Sequence, residues 1–194
     1  MADHRTTLMR LARGQEGLFA MWQAAKAGIA RSTIGFWLEQ GELRRVMHGI
    51  YQVRAVPVSS REEEAAIMLR YRLDTRVAFS HFSALAHFGV ADRLSPEHHL
   101  TVPEGRRRHR KIPAVTFHSL PLRESDTVTA GIIRCTSPLL TLHDLAAWRL
   151  PVPELLRIHA RMLRAGLVGR ETLDLEAPET ERLRGRWYRD FRAY

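Results

Sequence analysis

Apolar and polar positions fall into two regimes along the chain. In the first fifty-odd residues the apolar bursts are short and broken by glycines; after them the periodic segments lengthen. Residues 3–13 set Leu8, Leu11 and Ala12 at helical spacing and predict a short helix that Gly14 and Gly17 end. Leu18 and Phe19 are an apolar pair that would seal a core. Residues 21–27 read as a second helix closed by Gly28, with Ile29 as the apolar plug of a tight turn. Residues 31–40 read as a third helix, with Ile34, Trp37 and Leu38 on one face and Gly41 after it. Leu43, Val46, Ile50, Tyr51 and Val53 then predict two short strands around a turn at His48-Gly49.

Residues 54–60 contain Pro57, two serines and one charge, which marks a joint. Domains are therefore expected at 1–56 and 61–194. Residues 61–73 predict a helix with Ala65, Ile67, Met68, Tyr71 and Leu73 mostly inward and Glu62–Glu64 at its start, where the helix dipole favours acids. Ser80 is placed to cap a helix that runs to Phe88 and ends at Gly89. Residues 98–102, 114–118 and 131–135 read as strands. Ser137-Pro138 opens another helix, which runs to about Trp148. Residues 153–165 and 171–175 read as helical too. The expected fold class is α+β: an N-terminal winged helix-turn-helix followed by a mixed α/β domain whose small sheet is covered by helices.

The winged reading rests on the order helix, helix, glycine turn, helix, basic hairpin. A recognition helix offers its N-terminal residues to base edges in the major groove. Here those are Arg31, Ser32 and Thr33; Gly35 keeps the face open, and Phe36 could meet a thymine methyl. Arg44, Arg45 and His48 lie on the hairpin, where a wing reaches the backbone or the minor groove. Plainer roles fit the same residues. Ser32 and Thr33 can cap the helix, Arg44 and Arg45 can be a solvated strand edge, and Trp22 and Trp37 can be core.

Composition sharpens the picture. With 45% hydrophobic and 26% charged residues among 194, disorder throughout is excluded. Lys+Arg is 30 against 21 Asp+Glu, a net +9 that draws polyanions. No signal-peptide core follows Met1, and no charge-free run approaches the roughly 18 residues of a membrane helix. Cys135 is the lone cysteine, which excludes an intrachain disulfide and a cysteine-rich zinc site. A cytoplasmic protein without a membrane partner is expected. Arg106, Arg107, Arg108, Arg110 and Lys111 concentrate five charges in six residues, suited to phosphate or an acidic partner but equally to a solvated turn. Leu183, Trp187, Phe191 and Tyr194 recur at steps of four, four and three. That stripe would dock on its own domain or form a partner helix.

Catalytic patterns are missing. Neither lysine, Lys26 nor Lys111, follows an acid in the step a restriction-type nuclease needs. A nucleotidyltransferase needs Gly-Ser ahead of an acidic pair that holds magnesium, and no Gly-Ser occurs; Asp174-Leu175-Glu176 stands alone near the C-terminus. Phosphate-cradling glycine motifs and a nucleophile elbow are absent as well. His81 and His87 miss the four-residue step of a shared helix face, and His98 and His99 point to opposite sides of a strand. Neither an enzyme, a cofactor nor a metal is expected.

Residues 8–148 carry a set of short motifs in order: Leu11-Ala12, Gly17-Leu18-Phe19, Ala24-Ala25-x-Ala27-Gly28-Ile29, Arg31-Ser32-Thr33-Ile34, Gly41-Glu42-Leu43 and Gly49-Ile50-Tyr51. They continue in Ala78-Phe79-Ser80-His81-Phe82-Ser83-Ala84-Leu85, His99-Leu100-Thr101-Val102-Pro103, and the run from Cys135 to Ala146. As an ensemble the chain resembles AbiEi-type antitoxins of type IV toxin–antitoxin systems. Ala20 and Ala30 depart from the pattern, which usually has Thr or Ser helix caps there. The resemblance implies a repressor that binds inverted repeats in double-stranded DNA at its own operon promoter. It also implies a second domain that opposes a nucleotidyltransferase-like toxin. Two other readings of the chain are a toxin-binding protein-interaction module and a general nucleic-acid binder without operator recognition.

Overall fold

The computed structural model describes residues 4–91, 95–103, 112–148 and 150–169 of the chain. They form an α+β protein with two sheets and two compact units, one of residues 4–74 with 129–133, the other of 75–128 with 134–169.

The first unit runs α1 (His4–Arg13), β1 (Leu18–Ala20), α2 (Met21–Lys26), α3 (Arg31–Glu39), β2 (Leu43–Met47), β3 (Ile50–Val53) and α4 (Glu62–Arg70). Its strands form an antiparallel sheet in the order β1-β3-β2, with Leu18 opposite Gln52 and Arg44 opposite Gln52 from the other side. Leu8, Ala12, Phe19, Ala24, Ile29, Ile34, Trp37, Leu43 and Tyr51 share one apolar core. The helix-to-helix turn follows from local chemistry. Gly28 takes φ +75°, its N–H donates to the Ala25 carbonyl, and the Ile29 N–H donates to that of Ala24, both at 3.0 Å. This closes the orphan carbonyls of α2 and drives Ile29 into the core beside Ala24.

Two features of this unit differ from the sequence reading. Leu18 and Phe19 are buried as expected, but they also begin β1, which completes a three-stranded sheet. The segment read as the first helix of the second domain, α4, belongs to the first unit. Its Ala65–Leu69 run is wholly buried, and the Trp22 indole N–H donates to the Leu69 carbonyl at 3.4 Å.

The second unit contains β4 (Ala78–Phe79), α5 (His81–His87), β5 (His98–Val102), β6 (Val115–Ser119), β7 (Thr127–Ala130), β8 (Ile133–Thr136), α6 (Pro138–Ala147) and α7 (Val152–Arg164). The tip of the β7–β8 hairpin counts with the first unit. The sheet order is β6-β5-β4-β8-β7, with β5 parallel to β6 and antiparallel to β4. Leu85 of α5, Leu142 and Leu145 of α6, and Leu155, Ile158 and Met162 of α7 pack into a second apolar cluster. Ser137 caps α6, accepting from the Leu140 N–H at 3.3 Å with Pro138 at the first helical position, as its sequence predicts. Among the described residues no helix is long and apolar enough to cross a membrane.

Candidate nucleic-acid interface and a buried histidine cluster

Helix α3 buries Ile34 and Trp37 and leaves the opposite side to solvent. Arg31 and Ser32 are exposed at its start, Thr33 is half-buried, and Phe36 is 53% exposed. An aromatic ring held that open on a short helix is a surface group, whereas Trp37, one residue on, is 7% exposed. Ala30 is the N-cap and supplies no side-chain bond, so neither Ser32 nor Thr33 caps the helix. At α2 the missing cap is replaced. Gln23 reaches back to accept the Ala20 N–H at 2.9 Å, and the Gln15 and Gln23 amides bond each other at 3.2 and 2.7 Å.

The hairpin follows α3 through Gly41, whose φ is +70°. Its turn is at His48-Gly49, with Met47 opposite Ile50, Gly49 at φ +76° and an irregularity in register between Arg45 and Met47. Arg45 and His48 are exposed. Arg44 differs from them: its guanidinium donates to Gln52 Oε1 at 2.8 Å and pairs with the Glu62 carboxylate. Half of the expected wing charge is therefore already engaged within the unit. Trp22 is engaged within the unit, with the Arg72 guanidinium 5.4 Å from its ring centre and its indole N–H donating to the Leu69 carbonyl. The basic run Arg106, Arg107, Arg108, Arg110 and Lys111 and the stripe Leu183, Trp187, Phe191 and Tyr194 lie outside the described residues.

The second unit gathers polar chemistry in its interior. His81 starts α5, His99 lies on β5 and His118 on β6, and all three are buried. Strand register explains the meeting of the last two: Thr101 is paired with His118, so His99 and His118 fall on one face of neighbouring strands. His99 Nδ1 and His118 Nε2 are 3.0 Å apart. The His81 ring stacks on His118 with centroids 3.7 Å apart, and Trp148 meets all three rings edge-on at 5.3 to 6.4 Å. Each ring offers a nitrogen within 4.8 Å of those of the other two. Comparison of neighbours along the chain, 81 with 87 and 98 with 99, does not find this grouping; only the pairing of β5 with β6 brings it about.

Ser80 occupies the N-cap position of α5, as its sequence predicts, but its side chain makes no cap hydrogen bond. Its Oγ accepts from Thr101 Oγ1 at 2.8 Å and lies 3.0 Å from His81 Nδ1. His81 itself has φ +51°, a left-handed conformation uncommon outside glycine and found at positions under functional constraint. Burial disfavours the charged form of all three imidazoles. It lowers His81 well below the usual histidine value, with His118 and His99 adding to the effect; it lowers His99 against the pull of Glu97; and it brings His118 down to about 3. Asp144 on α6 is fully buried, and neither carboxylate oxygen has a hydrogen-bond partner among the described residues. Burial, and then the nearby Asp126, raise it well above the ordinary carboxylate range.

The chain matches no family model and no curated protein. Among solved structures it is similar to the crystal structure of the RV2827C protein from Mycobacterium tuberculosis, with 16% identity, a TM-score of 0.47, and coverage of 92% of this chain and 79% of that one. A likeness at this level carries no inference about fold or function.

Proposed function

We propose that this protein is a DNA-binding transcriptional regulator whose first unit is a winged helix-turn-helix. The observation that carries the reading is the pair of surfaces on consecutive elements: Arg31, Ser32 and Phe36 exposed on α3, then Arg45 and His48 exposed on the β2–β3 hairpin. The order α1, β1, α2, α3, β2, β3 and the three-stranded antiparallel sheet support it, because they hold a short helix and a projecting hairpin in one folded unit. In this reading α3 enters the major groove, while Arg45 and His48 meet phosphates or the minor groove. Arg44 anchors the hairpin to Glu62 more than it contacts DNA. The net charge of +9 supplies the non-specific attraction.

The resemblance to AbiEi-type antitoxins extends the proposal. The protein would be cytoplasmic, repress its own operon by binding inverted repeats, and oppose a nucleotidyltransferase-like toxin. A separable test exists for each half. Replacing Arg45 with Ala should weaken binding to every duplex alike and lower the salt slope by about one phosphate contact. Replacing Arg31 or Phe36 should act mainly on the preferred sequence. An Arg45→Ala protein with unaltered affinity and salt slope would reject the wing. Co-expression with the product of a neighbouring nucleotidyltransferase gene tests the antitoxin role; growth arrest that the full chain leaves unrelieved would reject it.

A further inference from the structure

We infer that His81, His99 and His118 form a binding site for one divalent transition-metal ion of zinc-like chemistry. This goes beyond the nucleic-acid reading and does not depend on it. The donor set is the first argument. Three imidazole nitrogens lie within 4.8 Å of one another, drawn from the start of α5, from β5 and from β6. Imidazole is the ligand that zinc, cobalt, nickel and copper share, and three protein ligands with one open position is a common zinc arrangement.

Spacing is the second argument. Two ligands at about 2.0–2.1 Å from a tetrahedral ion stand roughly 3.3 Å apart. The His99 Nδ1 to His118 Nε2 separation is 3.0 Å, close to that value. His81 completes the set when its ring turns off the face of His118.

The surroundings give the third argument. A metal-bound histidine ordinarily donates its other ring N–H to a fixed acceptor. His81 Nδ1 lies 3.0 Å from Ser80 Oγ, whose own position is set by the Thr101 hydroxyl at 2.8 Å. With Nδ1–H donating to Ser80, Nε2 carries the lone pair. The Ser83 hydroxyl accepts the His99 backbone N–H at 2.8 Å and fixes the strand at that ligand. Trp148 roofs the cluster. An ion there would tie α5, β5 and β6 together at one point.

The test uses the full-length protein, stripped with a chelator and dialysed. Co²⁺ is titrated in while its visible absorption is recorded, followed by competition with Zn²⁺. The expected result is one equivalent of Co²⁺ with the intense bands of a four- or five-coordinate site, abolished by Zn²⁺. Zn²⁺ at about 100-fold over its Kd should also raise the melting midpoint by roughly 5–10 °C. His99→Asn and His118→Asn should each weaken Co²⁺ binding more than the roughly 100-fold that loss of an outer partner costs. His4→Gln, a change at an exposed histidine, should leave it unaltered. If the ligand variants fail to fold, Cu²⁺ bound to the wild-type protein decides, through the number of nitrogens coupled in its electron paramagnetic resonance spectrum. A folded wild-type protein that gives only the faint spectrum of aqueous Co²⁺, binding unchanged in folded His99→Asn, or fewer than three coupled nitrogens would each overturn the site.

Discussion

The two units put their unusual residues in opposite places. In the first, the groups with chemistry to offer face solvent, and the polar groups inside are paired: Gln15 with Gln23, and Gln23 with the backbone of Ala20. In the second, the unusual groups are interior: three histidines in mutual contact and a carboxylic acid with no hydrogen-bond partner among the described residues. A surface of arginines and an open aromatic suits a large, charged, outside partner. Buried neutral donors suit a small ligand or a structural tie. A buried polar group left without a hydrogen bond is expensive, costing about 1–3 kcal/mol, which makes the Asp144 carboxyl a costly feature of the second unit.

The contrast is sharpest for two phenylalanines. Phe79 is fully buried on β4 in the second unit, and Phe36 is 53% exposed on α3. Phe79→Ala is expected to cost about 3–5 kcal/mol in urea unfolding. Phe36→Ala should stay within about 0.5 kcal/mol while changing DNA affinity. Equal stability losses would remove the distinction between a packed and a presented ring.

Asp144 gives the next effect, and it depends on pH. Its folded-state pKa lies above the ordinary value of 3.8, so the folded protein holds a proton that the unfolded chain releases. Stability from this group is complete below about pH 4 and is lost as pH rises toward the folded value. Asp144→Asn removes that dependence. The variant should gain on wild type by about 1.4 kcal/mol per pH unit across that window. Unfolding curves at several pH values between 4 and 8 check this; a pH-independent difference would show that Asp144 is solvated or paired.

In the first unit the corresponding change has the opposite sign. Gln23→Ala should lose about 1–3 kcal/mol, because Gln15 and the Ala20 N–H lose their partner. A neutral result would mean that water replaces the amide. The smallest effect is at the hairpin. Arg44 is tied to Glu62, so Arg44→Ala should cost up to about 1 kcal/mol of stability, and Arg45→Ala about none. For DNA the order reverses, with Arg45→Ala the more damaging. Thermal melts and binding isotherms of the two variants, run side by side, read both orders.

Legibility from sequence followed the same division. In the first unit local rules suffice. The spacing of Ile34 and Trp37, the glycines 28 and 41, and the His48-Gly49 turn mark α3 and the hairpin to within a residue or two. What escaped was β1, because three consecutive buried residues show no alternation, and the place of α4, because Pro57 and its serines mark a loop rather than an edge of packing. In the second unit β5 was readable from its own residues, but β4 has only two residues and β7 ends in exposed ones. Its candidate site was not readable at all. His81, His99 and His118 meet through sheet register, and no spacing along the chain encodes which strand lies beside β5.

The central claim is that α3 and the hairpin read DNA. Fluorescence anisotropy tests it most directly, with the full chain titrated into duplex from upstream of its own gene and into a scrambled duplex of equal length, each at two salt concentrations. The account predicts a preference of about 10³ or more for the upstream duplex, in the range of specific binders. Equal, steeply salt-dependent binding to both duplexes would contradict it and leave only the attraction of a basic chain for a polyanion.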